Sequence, residues 1–473
     1  MLFNSVAFLI FFAAFITLWP LLRRRRNVRW GYLVAASFFF YGWWDWRFLF
    51  LIVGSGMVNF LSALAMQHWR SRRRLWLVVA VAGNVGVLAV YKYLDFLIQN
   101  VNWLAGALGA TWRLPMGELI LPIGISFYTF QGMSYALDTY RGDLVPTRNI
   151  LHFFAYLSMF PQLVAGPIVR AAHLVPQLLK RPTTTEPQRW EGLKLIVYGY
   201  FKKCVVADTI APVVREAVAM QVPLASGGYW WVVMLLFSYQ IYCDFSGYSD
   251  IARGLGRWMG YDFPVNFDHP YIASSFRDFW RRWHISLSTW FRDYVYIPLG
   301  GGRKGKPRAH LNMILTMVIS GLWHGANWTF VSWGAAHAAC LSIERITNWP
   351  RRLSTVPIVG RHITTLLIYL LVVVAWVFFL ARTFPHAIAI LAAMFDVSQF
   401  HPKMIRQYVD NNALNVMGLM MLRQLWFHFR LHERRWPIGA GLIRLAQPVG
   451  IALLIVACVY LRGPGTKFIY FQF

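Results

Sequence analysis

Charge is scarce in this sequence. Only 14% of its 473 residues are Asp, Glu, Lys or Arg, against about 25% in an ordinary soluble protein. No long polar stretch is present, so the length does not divide into soluble domains. The four cysteines, Cys204, Cys243, Cys340 and Cys458, lie far apart in apolar or amphipathic segments. No CxxC or Cys/His spacing points to zinc; they read as buried structural thiols, and no metal site is expected. Walker and GxGxxG spacings are missing. So are internal repeats and the inverted pairs of broken helices that many secondary transporters use.

What fills the chain is apolar. Hydrophobic residues make up 58% of it and aromatic residues 17%, with 23 Trp and 36 Phe. That composition places it among integral membrane proteins. The net charge of +27 sits in short clusters between apolar runs, such as Arg23 to Arg26, Arg70 to Arg74 and Arg303 to Arg308. This is the positive-inside pattern of cytoplasmic loops. Topology and lipid contact account for the charge, and no nucleic-acid partner is expected.

Residues 1–22 read as a first transmembrane helix and not as a cleavable signal, because the basic cluster follows the apolar run. Residues 30–66 as one helix would be about 55 Å long, against a hydrocarbon core of about 30 Å. Basic clusters flank both ends, so two passes with a turn near Asp45–Arg47 are predicted. Further apolar segments lie near 75–98, 118–138, 150–169, 190–210, 229–246, 311–330, 331–346, 363–382, 385–396, 412–427 and 446–462. Several are short or carry Gly, Pro or charge, as in LPIGISFY at 121–128 and FPQLVAGP at 160–167. Irregular backbone at membrane depth belongs inside protein or beside a wet cavity. The expectation is an all-α polytopic integral membrane protein. It would have about eleven transmembrane helices, with re-entrant and amphipathic segments, in a single domain over 1–473.

Four segments carry candidate chemistry. In 274–301, a period of 100° per residue puts Trp280, Trp283, His284, Leu287, Phe291 and Tyr294 on one face of a predicted amphipathic helix. His284 is the ionisable member of that face, either a packing histidine or a functional one. The loop 300–308 (GGGRKGKPR) combines glycines with Arg303, Lys304 and Lys306. It suits the phosphates of a nucleotide-like donor, or is a plain positive-inside loop. In 315–334, His324 is expected in the middle of an apolar helix, with Gly321 and Gly325 at a close-approach spacing and Asn327 one turn on. An ionisable group inside a membrane segment is costly and marks a functional site, and histidine serves as a base near neutral pH. In 242–250 (YCDFSGYSD), Asp244 and Asp250 need partners, expected to be Arg or His.

Taken together, LPIGISFY, SYALDTYRGD, FPQLVAGPI, YCDFSGYSDIARGLG, NFDHPY, SFRDFWRRWHISLSTWFRDYVYIPLGG and GLWHGANWTFVSWG closely resemble the membrane-bound O-acyltransferase (MBOAT) family. The resemblance is to its alginate O-acetylase branch, with relatives serving peptidoglycan and bacterial cellulose, and runs from the first helix to the C-terminal FIYFQF. It implies a central funnel through a bacterial inner membrane, with His324 catalytic and His284 the second functional histidine. By position it implies that Trp323, Asn327, Trp280, Trp283, Tyr242 and Asp244 line the funnel. Arg281, Arg303, Lys304 and Lys306 would meet the donor's phosphates. The implied activity is an O-acetyltransferase that uses acetyl-CoA as donor and holds no tightly bound cofactor. The implied partners are membrane lipid, a periplasmic esterase-like acetyltransferase and exopolysaccharide synthesis and export machinery. Whether an acyl-histidine forms stays open. D-alanine transfer to teichoic acid, and a non-catalytic acyl or glycan channel or flippase, are the alternatives.

Overall fold

The computed structural model describes residues 1–117, 119–164, 166–220, 227–396, 398, 402–429, 440–466 and 468–469. The terminal residues 470–473 of the FIYFQF motif lie outside them. Among the described residues the chain forms helices and no strand. It divides into two compact units, Met1–Leu193 with Ala252–Pro264, and Lys194–Ile251 with Val265–Phe473.

The first unit begins with α1 (Val6–Leu22), capped where the Ser5 hydroxyl accepts from the Phe8 N–H at 3.2 Å. After α2 (Arg26–Gly42) the chain turns at Asp45–Arg47, where Asp45 accepts from the Arg47 N–H at 3.0 Å. It then enters α3 (Leu49–His68), so the single long apolar run is two helices, as its length required. Helices α4 (Arg73–Leu88) and α5 (Leu94–Ala107) join through a π-turn, making one apolar rod over Arg70–Ala107. An amide pair buried in apolar surroundings ties α3 to α4. Asn84 Nδ2 donates to Asn59 Oδ1 at 2.9 Å, and Ser55 donates to Asn84 at 2.9 Å. Gly132 of α6 (Ile125–Arg141) packs here; a Cβ on it would sit 2.4 Å from the Asn59 amide.

Short pieces follow: α7 (Ile150–Leu157), α8 (Phe160–Leu163) and α9 (Ala171–Leu179). The first two replace the single segment expected over 150–169 and are almost wholly buried, whereas α9 buries one face, with Ala171, Leu174, Val175 and Leu178. Arg29, three residues past the basic cluster Arg23 to Arg26, is 1% exposed. Its guanidinium donates to the Leu178 carbonyl at 2.6 Å, where the free carbonyls at the end of α9 favour a cation.

Helix α10 (Glu186–Tyr200) continues through a π-turn over Phe201–Ala207 into α11 (Asp208–Ala219). Helix α12 (Gly227–Met259) is 33 residues long. In the second unit, Gly199 meets Gly247; a Cβ on Gly199 would stand 2.6 Å from the Gly247 carbonyl. The segment over 274–301, predicted as one amphipathic helix, is broken. It forms α13 (Phe276–Arg282), α14 (Ile285–Phe291) and a π-turn over Arg292–Tyr296. The break falls at Trp283–His284, where His284 takes φ 41°.

The hairpin of α15 (Lys306–His324) and α16 (Trp328–Thr347) depends on glycine. A Cβ on Gly321 would lie 2.2 Å from the Phe330 carbonyl, and one on Gly334 2.4 Å from that of Met317. His324 is therefore at the end of a helix beside a tight reversal, and not in mid-helix as the apolar run suggested. The chain continues through α17 (Trp349–Ser354), α18 (Gly360–Leu380), α19 (Phe384–Phe395), α20 (Pro402–Tyr408), α21 (Asn411–His428) and α22 (Ala440–Tyr460). Three helices among the described residues are long and apolar enough to cross a membrane: Trp46–His68, Arg70–Ala107 and Gly360–Leu380.

Candidate active site

The second unit gathers both candidate histidines into one aromatic cluster. His284 is fully buried at the break between α13 and α14. A non-glycine residue with left-handed backbone costs of order 1 kcal/mol or more and persists only where neighbours hold it. Asn266 does so. Its carbonyl accepts from the Ile285 N–H at 2.9 Å. Its side-chain Oδ1 accepts from the Ser286 N–H at 3.2 Å and the Ser286 hydroxyl at 2.8 Å. Its Nδ2 donates to Ser249 at 3.1 Å.

The same Oδ1 lies 3.2 Å from His284 Nδ1. A backbone N–H already donates to that oxygen, so it is an acceptor and Nδ1 carries the proton. Nε2 then presents a lone pair, is buried, and has no hydrogen-bond partner among the described residues. Burial pushes the His284 imidazole down to about 3, so it is neutral at physiological pH.

Trp323 stands between the histidines. Its ring is 6.3 Å from that of His284 and 4.9 Å from that of His324. Trp333 and Phe379 stand edge-on to His324 at 5.0 and 5.4 Å. The wall extends through Trp376, 5.7 Å from Trp333, to Trp283 at 5.0 Å and on to Tyr242 at 6.4 Å. Trp280 joins at 5.7 Å from Trp333. The structure thus brings together His284, His324, Trp323, Trp280, Trp283 and Tyr242.

Other candidates are elsewhere. Asn327 caps α16, accepting from the Thr329 N–H at 3.0 Å and donating to the Arg382 carbonyl at 3.1 Å. Arg281 is exposed, as are Arg303 and Lys304 on the loop before α15 and Lys306 at its first position. That loop turns on Gly300 and Gly301, both at positive φ. Asp244 is in an ion cluster. Lys203 lies 2.7 Å from Asp244 and 2.9 Å from Asp208. The Ile469 N–H donates to Asp244 at 2.6 Å. Asp250 pairs with Lys202 at 2.5 Å. The partners are lysines, where Arg or His was expected; the sequence signal was the pair Lys202–Lys203 inside an apolar segment.

One residue was missed. His337 on α16 is fully buried, stacked on Phe279 at 5.9 Å and 8°, with Trp333 at 4.8 Å and Trp280 at 5.1 Å. Neither of its ring nitrogens has a partner among the described residues, nor do the indole nitrogens of Trp280 and Trp333. Buried polar atoms are nearly always paired, so orphans collected in one place mark a site that meets something polar. The signal was available: a histidine in an apolar helix, the criterion that singled out His324.

Residues 144–380 match the model of the MBOAT, membrane-bound O-acyltransferase family. The chain is similar to the probable alginate O-acetylase of Pseudomonas putida, 37% identical over the whole of both chains. It is 41% identical to that of Azotobacter vinelandii, over 84% of this chain and 78% of the relative. A peptidoglycan O-acetyltransferase of Helicobacter pylori is 36% identical over 77% of this chain and 73% of its own.

Proposed function

The chain belongs to the membrane-bound O-acyltransferase family and is an acyltransferase, and from that premise we propose that it moves acetyl groups from cytoplasmic acetyl-CoA across the bacterial inner membrane for O-acetylation of an exopolysaccharide such as alginate. The acceptor named for the Pseudomonas and Azotobacter relatives supports alginate. The Helicobacter relative keeps peptidoglycan as the second reading. In this reading the chain works as a single domain of about eleven spans with re-entrant and amphipathic segments.

The observation that carries the proposal is the placement of Trp323 between two buried histidines, within walls that exclude water. His324 takes the proton from an acceptor hydroxyl as its oxygen attacks the thioester carbonyl. The tetrahedral intermediate collapses to an acetyl ester, and the departing thiolate takes the proton back from His324. The acceptor is a serine of an esterase-like partner at the outer face, which passes the acetyl group to the polymer. Of the two roles open to the second histidine, the neutral Nδ1–H form of His284 favours orienting a substrate over donating to an oxyanion. Its lone pair accepts a hydrogen bond and gives none. His337 supplies further hydrogen bonds to the donor's amide-bearing arm. Arg281, Arg303, Lys304 and Lys306 attract the donor's phosphates, and dry walls suppress thioester hydrolysis.

The test is complementation of a strain lacking this gene. Wild-type chain restores acetyl ester on the polymer, whereas His324→Ala inserts normally and restores none. Full acetylation by His324→Ala refutes the role.

A further inference from the structure

A second concave site lies in the same unit, away from the histidines. A cavity of about 1040 Å³ opens among α11, the start of α21 and the segment after α22. Its floor is made where the Gly463 N–H donates to the Cys204 carbonyl at 2.9 Å. Gly463 is required there, since a Cβ would fall 2.4 Å from the Asp208 backbone. Val205, Val213 and Val416 give part of the wall.

The rim is polar, and part of its hydrogen-bonding capacity is unused. Glu216, Arg406, Asn411, Asn415 and Arg462 line the cavity, are exposed, and make no side-chain hydrogen bond or ion pair with any described residue. Beside them are two aromatic rings: Tyr460, 80% exposed, and Tyr408, 37% exposed.

This chemistry selects an occupant. An acyl chain would leave the charges unmet. A simple anion would face Glu216 as well as the arginines. A folded protein surface needs about 800 Å² of complementary face, whereas this is a concave pocket at the upper end of small-ligand volumes. Amides that both donate and accept, two carboxylates (Glu216 and Asp410), two guanidinium groups and exposed aromatic rings match a hydroxyl-rich ring system that both gives and takes hydrogen bonds.

We propose that this cavity is a saccharide-binding site, holding a short stretch of the polymer next to the acyltransferase. The idea rests on the acetyl-transfer reading for its purpose, but the binding stands or falls by itself. The experiment is isothermal titration of the full chain in detergent with a short alginate oligosaccharide, and separately with a neutral cello-oligosaccharide. Saturable binding of either, weakened roughly tenfold or more in the double variant Asn411→Ala/Asn415→Ala and in Arg406→Gln, supports the site. These variants keep wild-type coenzyme A release, which shows that they are folded. Absence of saturable binding to both sugars, or equal binding by the variants, overturns it. Binding by a wild-type chain that releases no coenzyme A supports the site and counts against the acetyl-transfer reading instead.

Discussion

His284 Nδ1 lies 3.2 Å from Oδ1 of Asn266, an oxygen that also receives the Ser286 backbone N–H. One amide therefore sets the tautomer of a buried imidazole and the backbone turn that presents it. Asn266→Ala removes the acceptor from three donors at once. It should lower acetyl transfer by about 10²-fold, the scale of a misplaced catalytic group, and lower stability by about 1–3 kcal/mol for the buried groups left unmet. Asn266→Asp, which keeps an acceptor oxygen, should retain more activity than Asn266→Ala. Initial rates of coenzyme A release and thermal melts in detergent measure both.

The same histidine predicts a pH dependence of stability. Its imidazole is held near 3 when folded and titrates near 6.5 when unfolded. Between those values the unfolded chain binds the extra proton, so stability rises with pH through this window and is lost as pH falls below about 6.5. Melting temperature measured from pH 7.5 to pH 5 should drop, and His284→Gln should flatten the slope. A wild-type profile with no slope, or a variant with the same slope, contradicts the assignment.

Lys203 is 1% exposed and stands between Asp244 and Asp208. Thr466 donates to Asp208, the Ile469 N–H donates to Asp244 and Phe468 packs 4.5 Å from Tyr248, so this lysine neutralises both carboxylates that anchor the C-terminal segment. Lys203→Met leaves two carboxylates without their cation, a loss of about 3–5 kcal/mol. Limited proteolysis should then cut the C-terminal segment far faster than in the wild type.

The basic loop before α15 predicts the opposite pattern. Arg303→Gln with Lys304→Gln and Lys306→Gln leaves stability unchanged, because all three side chains are exposed. KM for acetyl-CoA should rise several-fold with kcat held, and the difference should shrink at high salt as the attraction is screened. Steady-state kinetics at two ionic strengths tests this.

Much of this was legible in the sequence, and the exceptions have physical causes. The turn at Asp45–Arg47 followed from length against bilayer thickness. The close approach of α15 and α16 followed from glycine spacing. Periodicity failed at His284 because a helical repeat reports the average direction of side chains and not a break held by a remote residue, Asn266. It misplaced His324 for a similar reason: GLWHGANW stays apolar through the reversal at Gly325. The partners of Asp244 and Asp250 are Lys202 and Lys203, and nothing in sequence shows that the heads of two adjacent lysines in an apolar segment turn inward to these carboxylates. His337 meets the criterion that singled out His324, an ionisable group in an apolar segment, but no motif or glycine pair beside it draws attention to it.

The central claim is tested most directly by purified protein in detergent with acetyl-CoA labelled in the acetyl group. The account predicts that wild type releases coenzyme A in the presence of an acceptor. It predicts that His324→Ala, with an unchanged melting temperature, releases none above background. Release by His324→Ala at the wild-type rate would contradict it.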